Sequence, residues 1–270
     1  MKSNYWHDSN YDLHFYTAGN PEKSCIIFFH GFLGSGLDWQ EIVTGLSKDF
    51  YCLAIDLPGH GKTLVNGSLM AYSMELFAIS ITRFCKNLGI GGASLVGYSM
   101  GGRLALYLSI TLGKLWSAAV FESATPGIIN EKLRVERQIS DNKIAKSLEN
   151  NNLESFLKDW YQQPMFDAFR NNKNFYSILK QRKTNNPKEL AKALRKMGLG
   201  VQPSLWHQCK TIKFPILLLA GEFDRKFCNI MKEMKSINKD FNLKIIENAG
   251  HNIHLEQPQA YIKHLYNFLI

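Results

Sequence analysis

The tightest constraint in the chain is the stretch Ala93-Ser94-Leu95-Val96-Gly97-Tyr98-Ser99-Met100-Gly101-Gly102-Arg103. An apolar run stops at Gly97, and helix-forming residues continue from Arg103 to Leu112. This reads as strand, sharp turn and helix with Ser99 at the apex, and so sharp a turn requires small residues two positions to either side. The hydroxyl then stands clear of the sheet, while the start of the helix aims unpaired N–H groups at whatever binds there. With Gly and Ser at ordinary abundance, G-x-S-x-G arises by chance in roughly one chain in ten of this length. The remaining sequence must decide between chemistry and an ordinary glycine turn.

Short continuous apolar runs recur at Cys25–Phe29, Tyr51–Ile55, Ala118–Glu122, Phe214–Ala220 and Leu243–Ile246. Runs of this length predict strands buried on both faces, as parallel sheets have. Tyr11–Thr17 alternates loosely and predicts another strand, and helices are expected at Asp38–Leu46, Ser73–Leu88 and from about Gln257 to Phe268. Strands alternating with helices predict an α/β fold with a mostly parallel central sheet flanked by helices, whose chemistry gathers beyond the carboxyl ends of the strands. Between residues 126 and 208 the composition shifts to Lys, Asn, Gln and Glu. Helical patterns fall there at Ile128–Leu148, Leu153–Tyr161, Met165–Asn171, Phe175–Arg182 and Pro187–Met197, with no convincing strand. We therefore read residues 1–125 and 209–270 as two parts of one sheet core. Residues 126–208 read as an inserted helical cap that excludes water from the strand ends.

At 270 residues and 45% hydrophobic content, the chain can bury one sizeable core. It has no stretch of about 20 uncharged apolar residues, so no membrane span is expected. Met1–Asn10 is polar and lacks the apolar segment of a secretory signal. Cys25, Cys52, Cys85, Cys209 and Cys228 are scattered without a C-x-x-C pair. Reduced thiols in a cytoplasmic protein fit this usage, with no disulfide framework, metal site or cofactor indicated. The net charge of +9 comes from dispersed lysines, often beside asparagine, as in Lys143–Asn152 and Arg170–Lys183. With no arginine-rich arm or stacking platform, this predicts a solvated basic face and a few site cations, and no nucleic-acid partner. The sequence specifies no oligomeric state.

Ser99, Asp224 and His251 occur in the order nucleophile, acid, histidine, each in a loop just after an apolar strand. That order is the one an α/β-hydrolase fold requires. Serine gains reactivity only when a histidine takes its proton, and the carboxylate fixes that histidine's tautomer. Backbone N–H groups of Phe32, after His30-Gly31, and of Met100, after the elbow, are expected to form an oxyanion hole. Asp224 also suits a turn-capping role, and His60 and His254 compete for the histidine, but only His251 closes a strand in a Gly-His turn.

These motifs, together with Asp159-Trp160-Tyr161-Gln162-Gln163-Pro164, Gln202-Pro203-Ser204-Leu205, Lys226-Phe227 and Gly250-His251-Asn252-Ile253-His254, resemble one branch of the α/β hydrolases. The branch is that of the 2-succinyl-6-hydroxy-2,4-cyclohexadiene-1-carboxylate synthases. The resemblance implies a lyase of menaquinone and phylloquinone biosynthesis that expels pyruvate from a small-molecule polycarboxylate. It places the catalytic triad on Ser99, Asp224 and His251, and substrate-binding cations on Arg103 and Arg137. It places further pocket residues on Tyr98, Trp160 and Lys226. Arginine suits such a substrate because its forked donors pair with carboxylates bidentately. A carboxylic-ester or thioester hydrolase is the alternative, since a triad alone does not separate proton abstraction from acyl transfer. A non-catalytic ligand receptor ranks behind both.

Overall fold

The computed structural model describes all 270 residues. The chain opens with two antiparallel strands, β1 (Lys2–His7) and β2 (Tyr11–Ala18). It continues through β3 (Cys25–Phe29), β4 (Tyr51–Ile55), the two-residue β5 (Leu64–Val65), β6 (Ala93–Tyr98), β7 (Trp116–Glu122), β8 (Ile216–Gly221) and β9 (Asn242–Ile246). One sheet results, in the order β1-β2-β4-β3-β6-β7-β8-β9, with β5 beside β2. Every pairing from β4 to β9 along that order is parallel.

Why the apolar runs are continuous is visible in β3. Ile27 and Phe29 face one core, while Ile26 and Phe28 face another on the opposite side of the sheet. Each such side chain contributes roughly 1.5–3 kcal/mol by leaving water. The first core is closed by α2 (Met74–Asn87), α3 (Met100–Thr111) and α9 (Arg225–Ile237), and the second by α1 (Gln40–Leu46) and α11 (Pro258–Leu269). Between β7 and β8 the chain adds no strand. It forms α4 (Glu131–Asn150), α5 (Leu153–Trp160), α6 (Asp167–Arg170), α7 (Phe175–Arg182) and α8 (Pro187–Met197). These helices build a third core around Leu157, Tyr161, Phe169 and Leu190, joined by Leu33 and Leu255 from the sheet loops.

Several expectations need correction. β1 is a strand where the sequence shows only a polar N-terminus, because an exposed edge strand is held through its backbone to β2. The helix expected at Asp38 begins as a 3₁₀ turn at Gly36–Trp39, and Met165–Asn171 divides into a 3₁₀ turn and the single-turn α6. Helix α9 and the one-turn α10 (Ile253–Glu256) were not expected at all. No helix is long and apolar enough to cross a membrane.

Candidate active site

The elbow between β6 and α3 holds Ser99 at φ +51°, a left-handed conformation that non-glycine residues rarely adopt. A Cβ on Gly97 would lie 2.3 Å from the Gly101 carbonyl oxygen, and one on Gly101 2.2 Å from that of Phe29. Neither position can carry a side chain, so the G-x-S-x-G spacing follows from crowding. The Ser99 N–H donates to the Glu122 carbonyl (2.8 Å), pinning the turn to β7.

His251 Nδ1–H donates to Asp224 Oδ2 at 2.6 Å, and Nε2 faces Ser99 Oγ at 3.2 Å. Asp224 also accepts the Phe227 N–H at 3.3 Å, so one carboxylate both caps α9 and orients the histidine. Both side chains are almost fully buried, which strengthens that bond. The rings of Tyr98 and Phe227 pack on His251 at centroid distances of 5.3 and 4.7 Å. The competing histidines are engaged elsewhere. His254 Nδ1 donates to Glu122 (2.9 Å), and His60 Nδ1 to the Pro58 carbonyl (3.1 Å).

All the expected site residues except Asp224, which stands behind His251, line one cavity of about 220 Å³. Phe32 and Met100 flank Ser99 there, and Met100 is the first residue of α3, where a helix N–H has no intrahelical acceptor. Trp160 meets Phe32 edge-on at 5.4 Å and stacks on Phe156. The Tyr98 hydroxyl donates to Asn252 Oδ1 at 2.6 Å. The cavity wall carries Arg103, Arg137, Arg182 and Lys226 and no aspartate or glutamate.

These cations are held differently. Arg103 is buried, and its guanidinium donates only to neutral oxygens, Gln202 Oε1 (2.8 Å) and the Met197 carbonyl (2.9 Å). Burial first, and then the charge of Arg137, pull its pKa down to about 9. Arg137 is half-buried and uses Nε on Asp141 (2.7 Å). Arg134, its neighbour along α4, does not reach the wall. Lys226 is exposed at the rim, with its ammonium over the Phe227 ring.

The sequence reading missed Gln163, Asn252 and Arg182 in the wall, and Glu256 behind it. Glu256 is buried and accepts the N–H groups of Gly250 and Asn252, on either side of His251. Arg182 corrects the expectation of a solvated basic face over Arg170–Lys183. It is 3% exposed and pairs bidentately with Asp38 at 2.6 and 2.7 Å. No local pattern marks these residues, although Asn252 could have been suspected from its place beside His251.

Comparison with known proteins adds independent findings. Residues 25–258 match the family described as alpha/beta hydrolase fold. The chain is 33% identical to the 2-succinyl-6-hydroxy-2,4-cyclohexadiene-1-carboxylate synthase of Salmonella paratyphi B, covering 94% of this chain and 97% of that one. It is also 33% identical to Protein PHYLLO, chloroplastic, of Arabidopsis thaliana, where 93% of this chain spans 16% of the longer relative. The solved structure of MenH from S. aureus superposes with a TM-score of 0.88 at 33% identity, covering 97% of this chain and 98% of that one.

Proposed function

The chain belongs to the 2-succinyl-6-hydroxy-2,4-cyclohexadiene-1-carboxylate synthases, lyases of menaquinone and phylloquinone biosynthesis on the α/β-hydrolase fold, and we propose that Ser99, His251 and Asp224 serve as the base that starts pyruvate elimination. The substrate is 2-succinyl-5-enolpyruvyl-6-hydroxy-3-cyclohexene-1-carboxylate. In this reading His251 takes the Ser99 proton, and Asp224 steadies the imidazolium. The seryl oxygen removes the ring proton next to the succinyl ketone. The enolate oxygen that forms rests on the N–H groups of Phe32 and Met100. Its electron pair returns through the ring double bond and breaks the bond to the enolpyruvyl oxygen. The leaving group takes up a proton and becomes pyruvate, and the ring is left as the conjugated diene.

One observation carries the polyanion reading: beside Arg182, already paired with Asp38, the wall around Ser99 holds Arg103, Arg137 and Lys226 and no carboxylate. Arg103 and Arg137 offer forked donors to the substrate carboxylates, with Lys226 at the rim and Tyr98 and Trp160 shaping the pocket. Residues 126–208 act as a cap over this cavity, and a cytoplasmic enzyme acting on a soluble metabolite fits the chain. The test is Ser99→Ala, following pyruvate release. A fall of at least about a thousandfold is expected, and near-normal turnover would overturn the assignment. A burst of acyl-enzyme with an activated ester, together with no pyruvate from the cyclohexene substrate, would favour a hydrolase instead.

A further inference from the structure

Asn185 lies in the turn between α7 and α8, within a run of lysines and asparagines, yet it is 7% exposed. Its amide reaches two separate loops of the sheet core. Nδ2 donates to the Leu33 carbonyl at 2.9 Å, and Oδ1 accepts the Gly61 N–H at 2.9 Å. Three residues earlier, the Arg182 guanidinium grips Asp38 with two bonds. This end of the helical insertion is therefore bound to the core by buried polar contacts on both sides of the Gly31–Asp38 segment.

What these contacts hold is strained. The Gly34 N–H donates to the Gly31 carbonyl at 3.0 Å, closing a turn with Phe32 and Leu33 at its centre. Leu33 takes φ +69° at the third position, where such turns normally place glycine. A leucine there crowds its Cβ against the backbone, and the conformation persists only if the surroundings impose it. The Asn185 amide does so at the Leu33 carbonyl, one peptide beyond the Phe32–Leu33 bond. Release of that carbonyl lets the turn relax, and the Phe32 N–H rotates with it.

We propose that Asn185 is a positioning residue for the oxyanion-binding N–H of Phe32, so that the helical insertion helps to set the reaction centre as well as to cover it. This rests on the reading of Phe32 as an oxyanion donor. The two bonds of Asn185 can be separated. Asn185→Asp is isosteric and still accepts from Gly61, but it has no N–H to give Leu33. Asn185→Ala removes both of these bonds to the sheet core, and either variant also loses the weaker Nδ2–H bond to the Arg182 carbonyl at 3.3 Å.

The experiment measures kcat and KM for pyruvate release, and the rate at which a fluorophosphonate labels Ser99, whose phosphoryl oxygen also needs the oxyanion donors. In both variants kcat should fall about tenfold to a hundredfold, with KM within about threefold. Labelling should slow by a similar factor. Asn185→Asp retaining kcat within about twofold would overturn the proposal, as would a loss confined to KM with labelling unchanged. If Asn185→Ala fails to fold, Asn185→Asp decides alone. If wild type labels normally but releases no pyruvate, the lyase reading fails and the labelling comparison still judges Asn185.

Discussion

Two guanidiniums are buried beside the same cavity, and the protein treats them in opposite ways. At the foot of α7, Arg182 meets the Asp38 carboxylate in a two-bond fork and receives the Tyr161 hydroxyl as a further acceptor at 3.3 Å. Burial alone would raise the Asp38 pKa, but the charge and bonds of Arg182 override it and hold that carboxyl below its usual range. The same partnership raises the Arg182 pKa against its own burial. Behind the elbow, Arg103 is as deeply placed, but its guanidinium bonds only to an amide and a carbonyl oxygen; Arg137 lies nearby, and Asp141, itself bonded to Arg137, acts on it only at a distance. A buried charge without a counter-charge is costly. The first guanidinium is paired with a carboxylate inside the fold, and the second has no carboxylate bonded to it. The contrast separates an arginine paired within the fold from the one proposed to bind substrate, which residue type and burial alone do not.

The sharpest way to break this comparison is to remove each guanidinium in turn. Arg182→Met leaves Asp38 buried and unpaired, which should cost about 3–5 kcal/mol of stability in urea unfolding. Replacing Asp38 with leucine in the same chain should recover most of that loss. A single variant within about 1 kcal/mol of wild type would mean that the pair contributes little and that the junction between the helical insertion and the sheet core is held by other contacts.

Arg103→Met should behave in reverse. It removes a buried charge that has no carboxylate bonded to it, so thermal stability should hold or rise. Pyruvate release should fall by about a hundredfold to a thousandfold, since the donors it takes away are those proposed to bind the substrate. Loss of stability on the scale expected for Arg182→Met would erase the distinction between the two regions.

Sequence alone resolves the two regions unequally. The boundaries of β3 and β4 are read directly, because strands buried on both faces are apolar without interruption. Helices α7 and α8 are also read to the residue, α8 because Asn186 caps it and Pro187 opens it. Ser99, Asp224 and His251 could be proposed from sequence because each lies in a loop after a strand, whereas Arg103 comes from the family resemblance. Helix α9 escapes notice because Phe227, Met231 and Met234 are embedded among lysines, although their spacing and Asp224 as cap form a helical signal. Arg182 and Asn185 could not be found this way. Whether a polar residue is buried depends on its partner, and theirs lie 144 and 152 positions away, at Asp38 and Leu33.

The smallest expected effect tests the paired region through pH. His30 and His60 pack against each other at a tilt behind the Phe32 turn with centroids 5.1 Å apart, both fully buried. Burial pushes the His30 pKa below its ordinary value. Burial, and then the neighbouring His30, push that of His60 down to about 3. Both are neutral in the folded protein, and protonating either would set a positive charge near Arg182. The unfolded chain binds these protons below about pH 6.5, so their stabilising contribution is full above that pH and declines as pH falls. For a histidine that stays neutral, the loss from pH 6.5 to pH 5 is about 2 kcal/mol. The low pKa of Asp38 does not enter this window, because its own contribution declines only in the carboxylate range. His60→Asn keeps a donor for the Pro58 carbonyl without titrating. Unfolding midpoints at pH 7 and pH 5 should therefore differ less in that variant than in wild type. An equal difference would place the acid sensitivity outside this junction and leave Arg182 and Asp38 indifferent to the histidines beside them.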